Sequence, residues 1–238
     1  MSKLTYPGNE LQAFSKAVNW KKYVARHMKP YIKGCVLEVG AGIGSNTLYL
    51  MHQGIEDWLC LEPDSQNLKT LKKKITHNEL CSRCRTQLGT LATIGKDEMF
   101  DTILYYDVLE HIKNDNLEVI NAFSHLRPGG NLIILAPAHQ SMFSAFDAAI
   151  GHFRRYNKVS LRAVMGDGMK EITCIYLDCF GFLAYKIYST FAKKRNISGG
   201  NVKLWDKLLI PLSVIFDRIF NYRIGKSILG IYQRNLNK

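Results

Sequence analysis

No stretch of the 238 residues holds the roughly 18 to 20 consecutive apolar residues that a spanning helix needs. The opening MSKLTYPGNELQAF lacks both the apolar core and the small-residue cleavage site of a secretory leader, so a cytoplasmic protein is expected. Cysteine is scarce. Of six, Cys35, Cys60 and Cys174 sit inside apolar runs, where a reduced thiol acts as a small hydrophobe. Cys81 and Cys84 form one C-x-x-C, but no second pair follows at the spacing a structural zinc ion requires, so no metal is expected. Acidic residues are also short, 20 against 32 Lys and Arg, giving a net charge of +12. No repeat, low-complexity tract or linker divides the chain, which predicts a single domain over residues 1–238.

What the chain does have is alternation. Leu11, Phe14, Val18, Tyr23 and Val24 fall near helical spacing and Pro30 follows as a stop, predicting an amphipathic leading helix between Glu10 and Tyr31. Buried strands are predicted at CVLEVG, WLCLE, Cys84 to Leu88, FDTILYYD and NLIILAPA. Helices are predicted between them over 45–53, 64–77 and 116–126, the last ended by Arg127-Pro128-Gly129-Gly130. A helix at 159–165, the strand EITCIYL, helices over 182–194 and 203–220 and the strand SILGIYQR complete the pattern. Such alternation builds a mostly parallel sheet covered by helices on both faces.

The segment Val36-Leu37-Glu38-Val39-Gly40-Ala41-Gly42-Ile43-Gly44-Ser45 closes the first strand with three glycines at alternate positions. Glycine lets the backbone turn sharply and approach a ligand with no Cβ in the way, and the helix that follows turns N–H groups toward it. A dinucleotide fingerprint wants its third glycine where Ser45 stands, and Glu38 would repel a pyrophosphate. The segment resembles motif I of the class I S-adenosylmethionine-dependent methyltransferases, and the resemblance runs from about Asn19 to Arg162. At 137–156 it is similar to a bacterial subgroup associated with saccharide and natural-product pathways. The resemblance implies an α/β Rossmann-like class I methyltransferase fold with a mostly parallel seven-stranded sheet. It divides the chain into a leading helix region at 1–33, a cofactor-binding core at 34–165 with an acceptor loop at 137–156, and C-terminal strands and a helical lid at 166–238.

With S-adenosyl-L-methionine as the implied cofactor, Glu38 would meet the methionyl ammonium and Gly40, Ala41, Gly42 and Gly44 would form the cradle. Glu62 would accept from the ribose hydroxyls with Pro63 beside the adenosine. Asp107 and Val108 would run beneath the methionyl part, and Tyr23 would contribute from the leading helix. Thr90 departs from the acidic or small polar residue the family usually places beside adenine, so backbone groups of Thr90 and Leu91 are the expected contacts.

Methyl transfer is a displacement at a sulfonium carbon; the protein must align the partners and, for a hydroxyl acceptor, remove a proton, with no metal required. His139, Asp147, His152, Arg154, Arg155 and Tyr156 follow the fifth strand, at the sheet edge where open α/β sheets bind ligands. His152 is favoured as the base, with His139 and His111 as alternatives. Arg154 and Arg155 offer forks for an anionic acceptor, or an ion pair with Asp147.

From Lys186 onward eleven basic residues face only Asp206 and Asp217. The apolar run 208–216 is too short to span a bilayer; it either rests on an anionic membrane, placing the protein peripherally at the inner face, or lids the acceptor pocket. The expected acceptor is an oxygen or nitrogen of a small molecule, sugar or lipid-linked saccharide. An RNA methyltransferase and a catalytically silent cofactor-binding scaffold are the alternatives. Nucleic acid is disfavoured, because Asp107-Val108-Leu109-Glu110 stands where amino-methylating DNA enzymes carry Asn/Asp-Pro-Pro-aromatic.

Overall fold

The apolar runs become seven strands: β1 (Gly34–Val39), β2 (Ile55–Glu62), β3 (Cys84–Leu88), β4 (Phe100–Tyr106), β5 (Leu126–Pro137), β6 (Met169–Leu177) and β7 (Ser227–Arg234). The computed structural model describes residues 10–77, 80, 83–191 and 199–236. Cys81 and residues 192–194 of the predicted helix lie outside them. The strands form one sheet in the order β3-β2-β1-β4-β5-β7-β6, with β1 to β5 parallel and β7 antiparallel to both β5 and β6. Between β1 and β4 the order reverses, which opens a crevice at their carboxyl ends.

Strand residues alternate between two cores. Val36, Trp58, Leu104, Ile133 and Ile231 face one layer, and Leu37, Leu59, Ile103, Ile134 and Tyr232 the other. The first layer is covered by α1 (Glu10–Ser15), α2 (Val18–Met28), α3 (Thr47–Leu50) and α4 (Ser65–Thr76), together with helices from the tail. The second lies under α5 (Asp115–Ser124) and α7 (Lys158–Met165), with the short α6 (Ala145–Ala149) between them in sequence. The tail supplies α8 (Cys179–Phe191), α9 (Gly199–Leu204) and α10 (Ile210–Ile219).

Two helices differ from their sequence patterns for identifiable reasons. The leading helix breaks at Lys16-Ala17, because the Lys21 ammonium donates to the carbonyls of Phe14 (2.9 Å) and Ser15 (2.6 Å), ending α1. The carboxylate of Asp206, 186 residues further on, accepts from the backbone N–H groups of Asn19 (3.1 Å) and Trp20 (2.8 Å), starting α2. In the tail, Pro211 has no N–H for the carbonyl four residues back, and a wide π turn at Trp205–Leu209 precedes α10. Buried carboxylates then fasten the tail: Asp178 accepts from Trp205 and Ser213, and Asp217 from Tyr23 and the backbone of Asp178 and Cys179.

Candidate functional site

The carboxyl ends of β1, β2 and β4 open on a cavity of about 1090 Å³, roofed by Tyr185, Leu204, Trp205, Leu208 and Leu209. Its floor is the glycine turn. Gly40, Gly42 and Gly44 have φ of 68°, 58° and 70°, all in the left-handed region that favours glycine. A Cβ on Gly40 would fall 2.7 Å from Val108 Cγ2 and one on Gly44 2.4 Å from Leu71 Cδ1, so these two let neighbouring elements close in. At Gly42 a Cβ would meet only Leu11, at 3.7 Å, and this residue lines the cavity.

Glu62 ties the turn to the next loop: Oε2 accepts from the Gly42 N–H (2.7 Å) and Oε1 from the Asp64 N–H (2.9 Å). Burial raises its pKa against those bonds. It lines the cavity beside Pro63, Asp64, Gly89 and Thr90, whereas Leu91 turns into the core below. Glu38 sits under the turn. Its Oε2 accepts from Thr47 Oγ1 (2.6 Å) and Trp58 Nε1 (2.9 Å), and burial pushes its pKa up to about 7 despite these bonds. It thus fastens β1 to β2 and α3, and is absent from the cavity lining, as is Gly44.

The opposite end is crowded with charge. Asp107 lines the cavity at φ 53°, and desolvation of its carboxyl within that cavity raises its pKa to about 6 while His152 and Lys226 oppose the rise. His152 donates through Nδ1 to Asp147 Oδ1 at 3.0 Å, and its Nε2 stands 3.8 Å from Glu110 Oε1. The role of Nδ1 as donor follows from its carboxylate partner. Asp147 is clamped by the Arg155 guanidinium through Nε (2.9 Å) and Nη2 (3.0 Å) and by Ser144 Oγ (2.7 Å). Burial pushes Asp147 up, but the His152 bond and the Arg155 charge outweigh it and hold its pKa at about 2. The His111 ring packs edge-on to His152 with centroids 4.5 Å apart. Burial and the nearby His152 depress its pKa to about 4, so it is neutral near pH 7.

The fold brings His111, Asp147, His152 and Arg155 to the cavity with Ala41, Asp107 and Val108. It takes four other expected residues elsewhere. Tyr23 gives its hydroxyl to Asp217 (2.7 Å) and joins α2 to α10. His139, at φ 64°, bonds the Gly225 carbonyl through Nε2 (3.0 Å) and stacks on Tyr176. Arg154 pairs with Asp115 at 2.6 Å and donates to the carbonyls of Ile112 and Lys113. Tyr156 donates to the same Asp115 at 2.8 Å. Among the described residues none of these four lines the cavity. Arg155 is spent on Asp147, so neither arginine presents an open fork to an anion.

Sequence reasoning missed Glu110, Lys226 and Trp205. Glu110 is wholly buried in a short turn, Leu109–His111, and the visible signal was an acidic residue within an apolar run next to a histidine. Lys226 lies over the Trp205 ring at 4.3 Å, an arrangement assembled from residues 21 apart.

Residues 37–134 match the family described as methyltransferase domain. A ubiquinone biosynthesis O-methyltransferase of Rickettsia akari is 24% identical over 114 residues, which are 48% of this chain and 44% of that protein. The chain thus matches less than half the length of that curated relative. Among solved structures, a putative sarcosine dimethylglycine methyltransferase of Galdieria sulphuraria aligns with a TM-score of 0.62 at 13% identity, covering 93% of this chain and 85% of the other. An S-adenosylmethionine-dependent methyltransferase of Clostridium acetobutylicum aligns at 0.60 with 11% identity, covering 94% of each.

Proposed function

We propose that the protein, whose residues 37–134 match a methyltransferase domain and whose fold is that of the class I S-adenosylmethionine-dependent methyltransferases, methylates a hydroxyl or amine of an amphiphilic acceptor, a lipid-linked saccharide or similar molecule. The observation that carries the proposal is a cavity with a glycine cradle at one end and an oriented histidine at the other.

The cradle fits S-adenosyl-L-methionine. Gly42 leaves cavity space that any side chain would fill, and a carboxylate has acceptor sites for more donors than Gly42, Asp64 and Asn67 supply to Glu62, which suits a ribose hydroxyl. The bound cofactor supplies a methyl group activated on a sulfonium. At the far end Asp147, immobilised by Arg155 and Ser144, holds His152 by Nδ1 and turns Nε2 toward the space where a hydroxyl would lose its proton. The O-methylation for which the Rickettsia relative is named favours a hydroxyl over an amine.

An amphiphile is supported by the roof. Leu204, Leu208, Leu212, Ile215 and Ile219 are all exposed and follow one another at intervals of four, four, three and four, a single helical face. Leu204 and Leu208 also line the cavity, so the apolar stripe runs to its edge. Exposed Lys203, Lys207, Arg218 and Arg223 flank it, which suits an anionic bilayer surface. Among the described residues no helix is long and apolar enough to cross a membrane.

Calorimetric titration with S-adenosylmethionine tests the first half: wild type binds, and Glu62→Ala or Gly42→Val, still folded, binds at least about tenfold more weakly. Unchanged affinity in both variants would sink the cofactor site. For the second half, the protein should float with vesicles containing anionic lipid, and Leu212→Glu with Ile215→Glu should abolish flotation. Equal flotation by the double variant would remove the membrane from the proposal.

A further inference from the structure

Glu110 presents a chemical problem that methyl transfer does not explain. Its side chain is wholly buried, and among the described residues neither carboxylate oxygen finds a hydrogen-bond partner. An ionised carboxylate in such a place is costly unless a cation meets it. Burial and the nearby Asp107 and Asp147 push the Glu110 pKa up while the Arg155 charge opposes them, and two imidazoles face it: one ligand atom each of Glu110, His111 and His152 lies within 4.8 Å of the others. We propose that Glu110, His111 and His152 bind a divalent cation of the zinc type at the acceptor end of the cavity.

The spacing suits it. Ligands on a tetrahedral ion with bonds of about 2.1 Å stand roughly 3.4 Å apart, and His152 Nε2 is already 3.8 Å from Glu110 Oε1. Both imidazoles are held by a further acceptor, as metal-bound histidines usually are. For His152 that acceptor is Asp147, itself locked by Arg155. For His111 it is the backbone of Gly151. Two nitrogens and one oxygen suit a borderline ion such as Zn²⁺ and disfavour Mg²⁺, which prefers an all-oxygen shell. All three residues belong to the cavity lining, so a fourth position would face its interior. No sequence spacing announces the set, because its ligands come from the turn after β4 and from a loop some forty residues later.

The role of the ion rests on the methyl-transfer proposal; its binding does not. An acceptor hydroxyl brought to the fourth position would release its proton to water more readily, and His152 Nε2 would then serve as a ligand in place of a proton acceptor.

The test uses the full chain freed of metal with a chelator and titrated with Zn²⁺ by calorimetry and with Co²⁺ by visible absorption, without cofactor. One equivalent per chain is expected. Glu110→Gln and His152→Ala should each weaken Zn²⁺ at least about 100-fold, and Asp147→Asn about 10–100-fold, the range for losing an outer partner. Thermal unfolding of the metal-free variants checks that each is folded. Cys84→Ser should leave uptake unchanged; loss there would move the ion to the cysteine pair and overturn the proposal. So would a wild type that takes up neither ion, or wild-type affinity for Zn²⁺ in both Glu110→Gln and His152→Ala. A failed S-adenosylmethionine titration would leave this result standing, since neither measurement depends on the other.

Discussion

Alanine at Gly42 and at Gly44 should separate two uses of the same backbone conformation. Each residue sits at positive φ, 58° and 70°, and a Cβ there costs roughly 1–2 kcal/mol. At Gly42 little else changes in the fold, since the new methyl would stand 3.7 Å from Leu11. At Gly44 it would fall 2.4 Å from Leu71 Cδ1 and 3.1 Å from Leu80 Cδ1. Leu71 is fully buried, so its methyl can swing only into space already filled, and such overpacking adds about 1–3 kcal/mol. Gly44→Ala should therefore lose roughly 2–5 kcal/mol and Gly42→Ala roughly 1–2. In a domain of this size each kcal/mol moves Tm by about 2–4 °C, giving drops of about 4–20 °C and 2–8 °C. Urea unfolding followed by circular dichroism measures the energies, and cofactor titration supplies the opposite ranking, with Gly42→Ala the weaker binder. If Gly44→Ala proves no less stable than Gly42→Ala, the assignment of Gly44 to packing and Gly42 to the cavity is wrong.

Glu38→Gln tests the electrostatics beneath the turn. A carboxyl raised from 4.5 in the unfolded chain to about 7 in the fold contributes stability that is complete below about pH 4.5 and lost as pH rises through 7, roughly 3 kcal/mol in all. The glutamine oxygen can still accept from Thr47 and Trp58, so the variant's unfolding free energy should vary less between pH 5 and 8; an unchanged slope would count against the buried acid. His152→Ala should lower turnover by about 10²–10⁴ with cofactor affinity kept, whereas His139→Ala should act on stability, through Tyr176 and Gly225, and leave the chemical step nearly intact. Equal turnover losses in steady-state assays would return His139 to candidacy. Asp206→Ala leaves two backbone N–H groups of α2 unpaired and should cost about 2–4 kcal/mol in denaturant unfolding; a loss below about 0.5 kcal/mol would mean that solvent replaces the cap.

The sheet was legible because its strands are apolar runs whose alternate residues feed two cores, and the cradle because three alternate glycines have few other uses. The acceptor end was only half legible. Arg154, Arg155 and Tyr156 look equivalent in sequence, but successive side chains of an extended segment point to opposite sides. Arg154 and Tyr156 consequently reach Asp115 on one side, while Arg155 reaches Asp147 on the other. Which histidine faces the cavity depends on such directions, and so does the break in the leading helix, where Lys21 and Asp206 act from positions no local pattern connects. Glu38 illustrates the remaining difficulty: an acid at the end of a strand looks like a ligand, and its Thr47 and Trp58 partners appear only when β1, β2 and α3 are assembled.

The bonds from Asp206 to α2 and from Tyr23 to Asp217 also order events in time. They join residues 186 to 194 positions apart, so they form only after Asp206 and Asp217 have left the ribosome. At about 5–20 residues per second that interval is roughly 10–40 s, during which α2 holds Trp20, Val24 and Met28 ready with no tail to cover them. The five parallel strands leave the ribosome before the roof does, so they have that interval in which to pair. A nascent chain would thus pass through a stage with only the five parallel strands available to pair, an open crevice and an uncovered apolar helix, the stage at which a chaperone has something to hold.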